Sequence, residues 1–210
     1  EGFSRGRAFQ TAEGGVPSTN GMAAALAGLT ADADGDSLGA QRLILLYGII
    51  HALDGWPLIY MGDEIGLLND HSYRDDPHLA DDGRWMQRPA MDWVTAMGTE
   101  AGDDAPAHIW RGTRHILTRR KATAQLAGAV PTRILHTGHP AIFAFQRLGD
   151  AATLTAVFNF TEHWHEIGGD ALGLNPGQWY HDTLAEQPAL EGHNALHLPP
   201  YGRVWLVPAT

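Results

Sequence analysis

At 210 residues, the chain is long enough for one sizeable hydrophobic core or two small ones. Its 44% hydrophobic and 18% charged residues exclude a disordered polymer, and no apolar run reaches the roughly 20 residues that a membrane-spanning helix needs. A formal charge of −10, from 24 acidic and 14 basic residues, repels nucleic acid and anionic lipid and leaves a neutral small molecule or saccharide as the expected partner.

Glu1 to Gln10 lacks the basic-then-apolar order of a signal peptide, and the chain opens on Glu instead of Met, so it reads as a piece of something longer. Residues 1–20 are rich in Gly, Ser and Pro, and Gly14 to Gly21 punctuates the backbone too often for a regular element, which predicts a loop. Asn20 is expected to cap a short helix, Gly21 to Leu29, ahead of a polar break over Thr30 to Ser37. Leu38 to Leu53 then places Leu43, Leu46, Tyr47, Ile50 and Leu53 at three- and four-residue intervals, predicting a helix with one buried face. Asp54-Gly55 stops it. Trp56 to Met61 is a short apolar run closed by Gly62, and it predicts a buried parallel strand. From Gly62 to Pro106 there is almost no periodicity, and a connection of that length is either disordered or functional. Tyr73, Trp85 and Trp93 favour an anchored loop. Helical spacing resumes over His108 to Leu126, with Arg119, Arg120 and Lys121 near its end, where cations complement the helix dipole.

After Gly128 the pattern becomes β-rich. Arg133 to His136, Ile142 to Gln146, Thr153 to Phe160, Trp164 to Ile167, Gln178 to Thr183, Ala195 to Leu198 and Arg203 to Val207 predict a small antiparallel sandwich of about 80 residues. The expected domains are therefore 1–128 and 129–210.

The segment Gly55-Trp56-Pro57-Leu58-Ile59-Tyr60-Met61-Gly62-Asp63-Glu64-Ile65-Gly66 resembles the eighth barrel strand of glycoside hydrolase family 13, the α-amylase family. The order of predicted elements agrees: helix seven, strand eight, a long loop, helix eight, then an antiparallel C-terminal sandwich. Leu67-Leu68-Asn69-Asp70, Asp81 to Pro89 and the Ala-rich Gly21 to Leu29 look like the sucrose hydrolase and amylosucrase subgroup. The resemblance implies a fold of α/β plus all-β class, the C-terminal part of a (β/α)8 barrel followed by an antiparallel sandwich. It also implies a retaining mechanism with two carboxyl groups roughly 5 Å apart. In the family these lie on earlier strands, so no catalytic residue is expected in this chain and the chain alone is expected to be inactive. The upstream part of the barrel is then its first partner.

The same resemblance makes Arg84 the candidate substrate-binding residue. In the family the matching arginine of the Asp-Asp-x-Arg-Trp motif pairs with an upstream aspartate and closes the glucosyl pocket, a task suited to a permanently charged planar fork. The other reading of Arg84 is a loop-stabilising ion pair with Asp81 or Asp82. Arg88 reads as a residue that holds the loop. Asp63 and Glu64 follow the strand directly and read as turn-forming before catalytic, and His181-Asp182 falls in the sandwich. Trp85, Trp93 and Trp110 read as core anchors, with sugar-stacking platforms as the other possibility. The twelve histidines show no helical ligand spacing, the only short pattern being His163-x-His165, and no cofactor or metal is expected. The absence of cysteine excludes disulfides and suits a cytoplasmic protein. Ser18-Thr19-Asn20-Gly21 stands where amylosucrases carry an Arg-hydrophobic-Ser-Gly stretch on the acceptor side. That departure ranks sucrose hydrolysis, releasing glucose and fructose, above glucosyl transfer to an α-1,4-glucan, with a non-catalytic carbohydrate-associated or structural domain as the further alternative.

Overall fold

The computed structural model describes residues 7–9, 18–35 and 37–209. The chain divides into two compact units. One runs to Ile44 and resumes from Ile59 to Thr113; the other comprises Leu45–Leu58 and Arg114 onward. The observed class is the expected one, helices and loops followed by an antiparallel, sheet-rich part.

In the first unit, strands β1 (Arg7–Phe9) and β2 (Ser18–Asn20) pair antiparallel, with Arg7 opposite Asn20, where the sequence predicted only loop. Asn20 is therefore the end of a strand and not a helix cap. Helix α1 shrinks from the expected Gly21–Leu29 to Ala23–Leu26, and its N-cap position falls to Met22, whose side chain makes no capping bond. The physical reason is tertiary: Asn69 Oδ1 accepts the Met22 N–H at 2.7 Å, and a distant side chain replaces the local cap.

Helix α2 (Leu38–Ala52) forms where predicted. It is apolar around nearly its whole circumference, so its sequence does not say which stripe is buried. Leu43 and Tyr47 are buried, whereas Leu46 and Ile50, read as part of the same buried face, are exposed, as is Leu38.

Trp56 to Met61 corrects a further expectation. The segment belongs to no strand, and among the described residues no strand pairs with it. A buried parallel strand needs neighbours on both sides. Without them Trp56 is 99% exposed, and Leu58, Tyr60 and Met61 are exposed too. The long connection beyond it is built of three 3-10 turns, Asp63–Ile65, Ser72–Asp75 and Gly83–Gln87, and a short helix, α3 (Trp93–Gly98). Tyr73 is a buried anchor and Trp85 and Trp110 are half-buried, but Trp93 is exposed and anchors nothing. Helix α4 (Ala105–Ala122) starts three residues before the expected His108, because Asp104 Oδ1 caps the Ala107 N–H at 3.0 Å and Pro106 sits in the first turn, where its missing N–H is harmless.

The second unit is a sandwich. Its larger sheet has the order β3-β4-β5-β10-β7-β8, from β3 (Thr132–Leu135), β4 (Ile142–Leu148), β5 (Thr153–Asn159), β7 (Trp179–Asp182), β8 (Gln187–Glu191) and β10 (Arg203–Pro208). The smaller sheet pairs β6 (His165–Gly168) with β9 (Ala195–Leu198). Register sorts the side chains: Ile142, Ala144, Val157, Tyr180, Leu190 and Leu206 line one face and pack with Ile167, Leu196 and Leu198 from the smaller sheet. The opposite face carries Phe143, Phe145, Phe158 and Trp205, with Phe145 and Phe158 stacked at 5.7 Å. Strand β5 is covered on both faces, so its residues from Leu154 to Asn159 are buried without alternation. Strand β8 was not legible, since Pro188 reads as a breaker. It is tolerated because β8 is an edge strand and Pro188 faces His181 at a bulge.

Two arginines bind the end of α2 within this unit. Arg147 is fully buried and donates to the carbonyls of Ala52 at 2.7 Å, Ala127 at 2.7 Å and Val130 at 2.9 Å. Arg120 donates to the carbonyls of His51 and Leu53. Four terminal carbonyls of any helix lack intrahelical partners and carry the negative end of its dipole, so two guanidinium groups placed there satisfy both needs.

Candidate functional site

The residues singled out by sequence motif collect in the first unit, from Gly62 to Arg88. Gly62 and Gly66 flank the Asp63–Ile65 turn in the left-handed conformation, at φ 94° and 69°. At Gly66 a Cβ would also lie 2.6 Å from Ile109 Cδ1 and 3.0 Å from Leu29 Cδ2. The two glycines of Gly-Asp-Glu-Ile-Gly are thus required by backbone conformation and by packing. Between them, Glu64 Oε2 accepts the Gly62 N–H at 2.8 Å, and Asp63 is buried. Both acidic residues take part in the turn, which is how their position in the sequence reads.

Asn69 and Gln87 received no role from the sequence. In the structure they act together: Gln87 Oε1 accepts the Gly21 N–H at 3.2 Å, beside the Asn69 bond to Met22. Asp70 N–H donates to the Met86 carbonyl at 3.0 Å. These bonds join Leu67–Asp70, Gly83–Gln87 and the entry to α1 into one assembly. No periodicity signals such a link; only the presence of both polar residues inside motif segments hinted at it.

Arg84 lies on the surface of the Gly83–Gln87 turn with its side chain 53% exposed. Asp82 caps that turn by accepting the Arg84 N–H at 3.0 Å. The guanidinium grips the same carboxylate with Nε at 2.9 and 3.1 Å and Nη2 at 2.8 Å. The side-chain bonds from Arg84, then its backbone N–H, hold the Asp82 carboxyl down to about 2, so the pair persists from neutral pH far into acid and is lost only as pH falls through that value. The grip uses Nε and one terminal nitrogen, and Nη1 remains for another acceptor. Arg88 stands over the Trp85 ring at 5.2 Å.

In the second unit Asp182 Oδ1 accepts the N–H of Trp205 at 3.0 Å and of Leu184 at 2.9 Å. His165 Nε2 shares a 2.7 Å bond with the Thr161 hydroxyl. Among the described residues no three His, Cys, Asp or Glu converge as metal ligands.

No family model matches the sequence. Solved structures do. AmyP, solved in complex with maltose, superposes with a TM-score of 0.63 at 15% identity, over 82% of this chain and 35% of its own. The α-amylase of Geobacillus thermoleovorans, solved with acarbose, gives 0.61 at 15% identity, over 81% of this chain and 34% of its own. The cyclic α-maltosyl-(1→6)-maltose hydrolase of Arthrobacter globiformis gives 0.59 at 18% identity, over 90% of this chain and 33% of its own. The chain spans about a third of the length of these enzymes, and what it shares with them is the fold.

Proposed function

We propose that the chain is the C-terminal portion of a retaining glycosidase of glycoside hydrolase family 13, and specifically of a sucrose hydrolase that releases glucose and fructose. The observation that carries this reading is the Gly55–Gly66 motif: both of its closing glycines are conformationally required, in a chain whose fold is that of α-amylase-type enzymes. The unpaired, exposed apolar Trp56–Met61 segment supports it, because an apolar run of this kind suits a barrel strand awaiting its neighbours. The catalytic carboxylates belong to the remainder of the barrel, and this portion supplies part of the rim.

Arg84 is the substrate-side residue in this proposal. Its bond to Asp82 holds the guanidinium still, and Nη1 is left to meet a carboxylate or sugar hydroxyl at the pocket. In the complete enzyme Arg84→Ala is expected to lower kcat/KM on sucrose by about 100-fold or more, Arg84→Lys to rescue poorly and Arg88→Ala to spare turnover per folded molecule. Parental sucrose turnover by a well-folded Arg84→Ala enzyme would remove the assignment. Failure of the complete enzyme to cleave sucrose would remove the specificity.

A further inference from the structure

His51 lies in the last turn of α2 and is only 1% exposed. Its Nδ1 stands 2.8 Å from the Tyr47 carbonyl, and a carbonyl can only accept, so Nδ1 carries the ring proton and Nε2 is a bare acceptor. Nε2 is buried and meets no partner among the described residues. Further chain could not reach it without displacing the groups that already enclose it. A proton on Nε2 would therefore be a buried donor with nothing to meet. Burial pushes the imidazole below its ordinary value, against the opposing Tyr47 bond, and the charge of Arg120 adds to the depression.

The main chain of the same turn is where neighbouring elements attach. Arg120 from α4 donates to the carbonyl of His51 itself, and Arg147 from β4 donates to that of Ala52 at 2.7 Å. Arg203 from β10 lies against Gly48, one turn earlier, and Asp182 from β7 acts on it. Asp54, just after α2, acts on Arg147. The two carboxylates are thus set against Arg203 and Arg147, and the charge that acts on His51 is the cation Arg120. Protonating the ring would add a like charge beside Arg120 in a buried place. The ring relieves that strain only by turning out to water, and it shares its residue with the carbonyl that Arg120 holds.

We propose that the end of α2 is an acid-sensitive latch, closed while His51 is neutral and opened when Nε2 takes a proton, which releases residues 45–53 from Arg120 and Arg147. The opened ring binds its proton at the ordinary imidazole value of 6.5, above the closed value, so closure is fully favoured above that pH and is lost as pH falls below it. None of these contacts involves the site at residues 62–88, so the latch and the sucrose reading stand or fall separately.

The test is amide exchange followed by mass spectrometry on the 210-residue chain at about pH 7.5 and about pH 5.5, each rate divided by its intrinsic value, over a range in which ordinary carboxylates stay ionised. Residues 45–53 should exchange several-fold faster at the lower pH, with a ceiling of about tenfold set by one proton, while β5 keeps its rate. His51→Phe keeps a ring and His51→Asn keeps a donor for Tyr47; in both, the pH response of residues 45–53 should vanish whatever their stability at neutral pH. The exposed control His193→Gln should respond as the parent does. Equal parent rates at the two pH values, an equal rise in β5, a parental response in a folded His51 variant, or loss of the response in His193→Gln would each overturn the latch. If neither His51 variant folds, the parent's rates in residues 45–53 and in β5 decide on their own.

Discussion

The Gly62–Pro106 connection and the sandwich reach order by different routes. In the sandwich, β5 is paired on both sides and buried on both faces, and its neighbours supply two apolar layers. Order there follows from register, because slipping a strand by one residue would turn every side chain to the wrong face. The connection has no such repeat. It is held by single bonds at chosen places: Glu64 to Gly62, Asn69 to Met22, Gln87 to Gly21, Asp82 to Arg84 and Asp92 to Thr95. Each bond satisfies a main-chain N–H that no ladder or helix would satisfy. The sandwich buries Phe145, Phe158 and Trp205 but leaves Trp164 and Trp179 exposed, and the connection buries Tyr73 and Met86 but leaves Arg84, Trp93 and Met97 outside.

If register and burial dominate the sandwich unit, removing its buried guanidinium should be the most damaging change. Arg147→Met leaves the carbonyls of Ala52, Ala127 and Val130 without their donor and is expected to cost about 3 kcal/mol in urea denaturation. A loss indistinguishable from zero would show that water or repacking replaces the arginine. In the connection the largest single effect should come from the backbone. Gly66→Ala combines a left-handed φ of 69° with a Cβ pressed on Ile109, and a loss of about 2 kcal/mol is expected, with amide exchange faster in the Gly62–Asp70 segment. Unchanged exchange there would mean that the turn tolerates a side chain and that the glycine requirement is weaker than drawn.

The smallest effect separates a buried carboxylate from an exposed one. Burial pushes the Asp182 carboxyl upward, against the opposing hydrogen bonds of Trp205, Leu184 and Ala185. A raised folded pKa means that the native state holds its proton more tightly than the unfolded chain, so stability declines as pH rises from about 4 through the folded value. Asp182→Asn keeps an oxygen for the same N–H groups and has no charge to bury. Its melting temperature should therefore decline less than the parent's over that range. Parallel pH profiles for the two proteins would show that Asp182 titrates as an ordinary carboxylate.

Some of this molecule could be read directly. Helix α2 starts at Leu38 as its spacing indicates, β9 matches Ala195–Leu198, and β5 and β10 differ from expectation by one residue at one end. These elements satisfy their backbone bonds within a helix or with a partner in the same chain, and their apolar patterns are strong. Glycines 62 and 66 were legible as a motif, because a left-handed backbone admits few other residues. The apolar run Trp56–Met61 forms no strand here for the opposite reason. Its composition describes the neighbours a strand would need, and among the described residues none pairs with it. The bonds of Asn69 to Met22 and of Gln87 to Gly21 span 47 and 66 positions, distances over which local pattern carries no information. The direction of Trp93 was equally undecidable, since an indole is as suited to a core as to a sugar. What the sequence by itself determined was the set of elements whose hydrogen bonds and apolar stripes are local. Which polar side chain reaches which distant N–H, and whether a large apolar residue is covered, depended on chain closure over tens of residues and was decided by the tertiary structure alone.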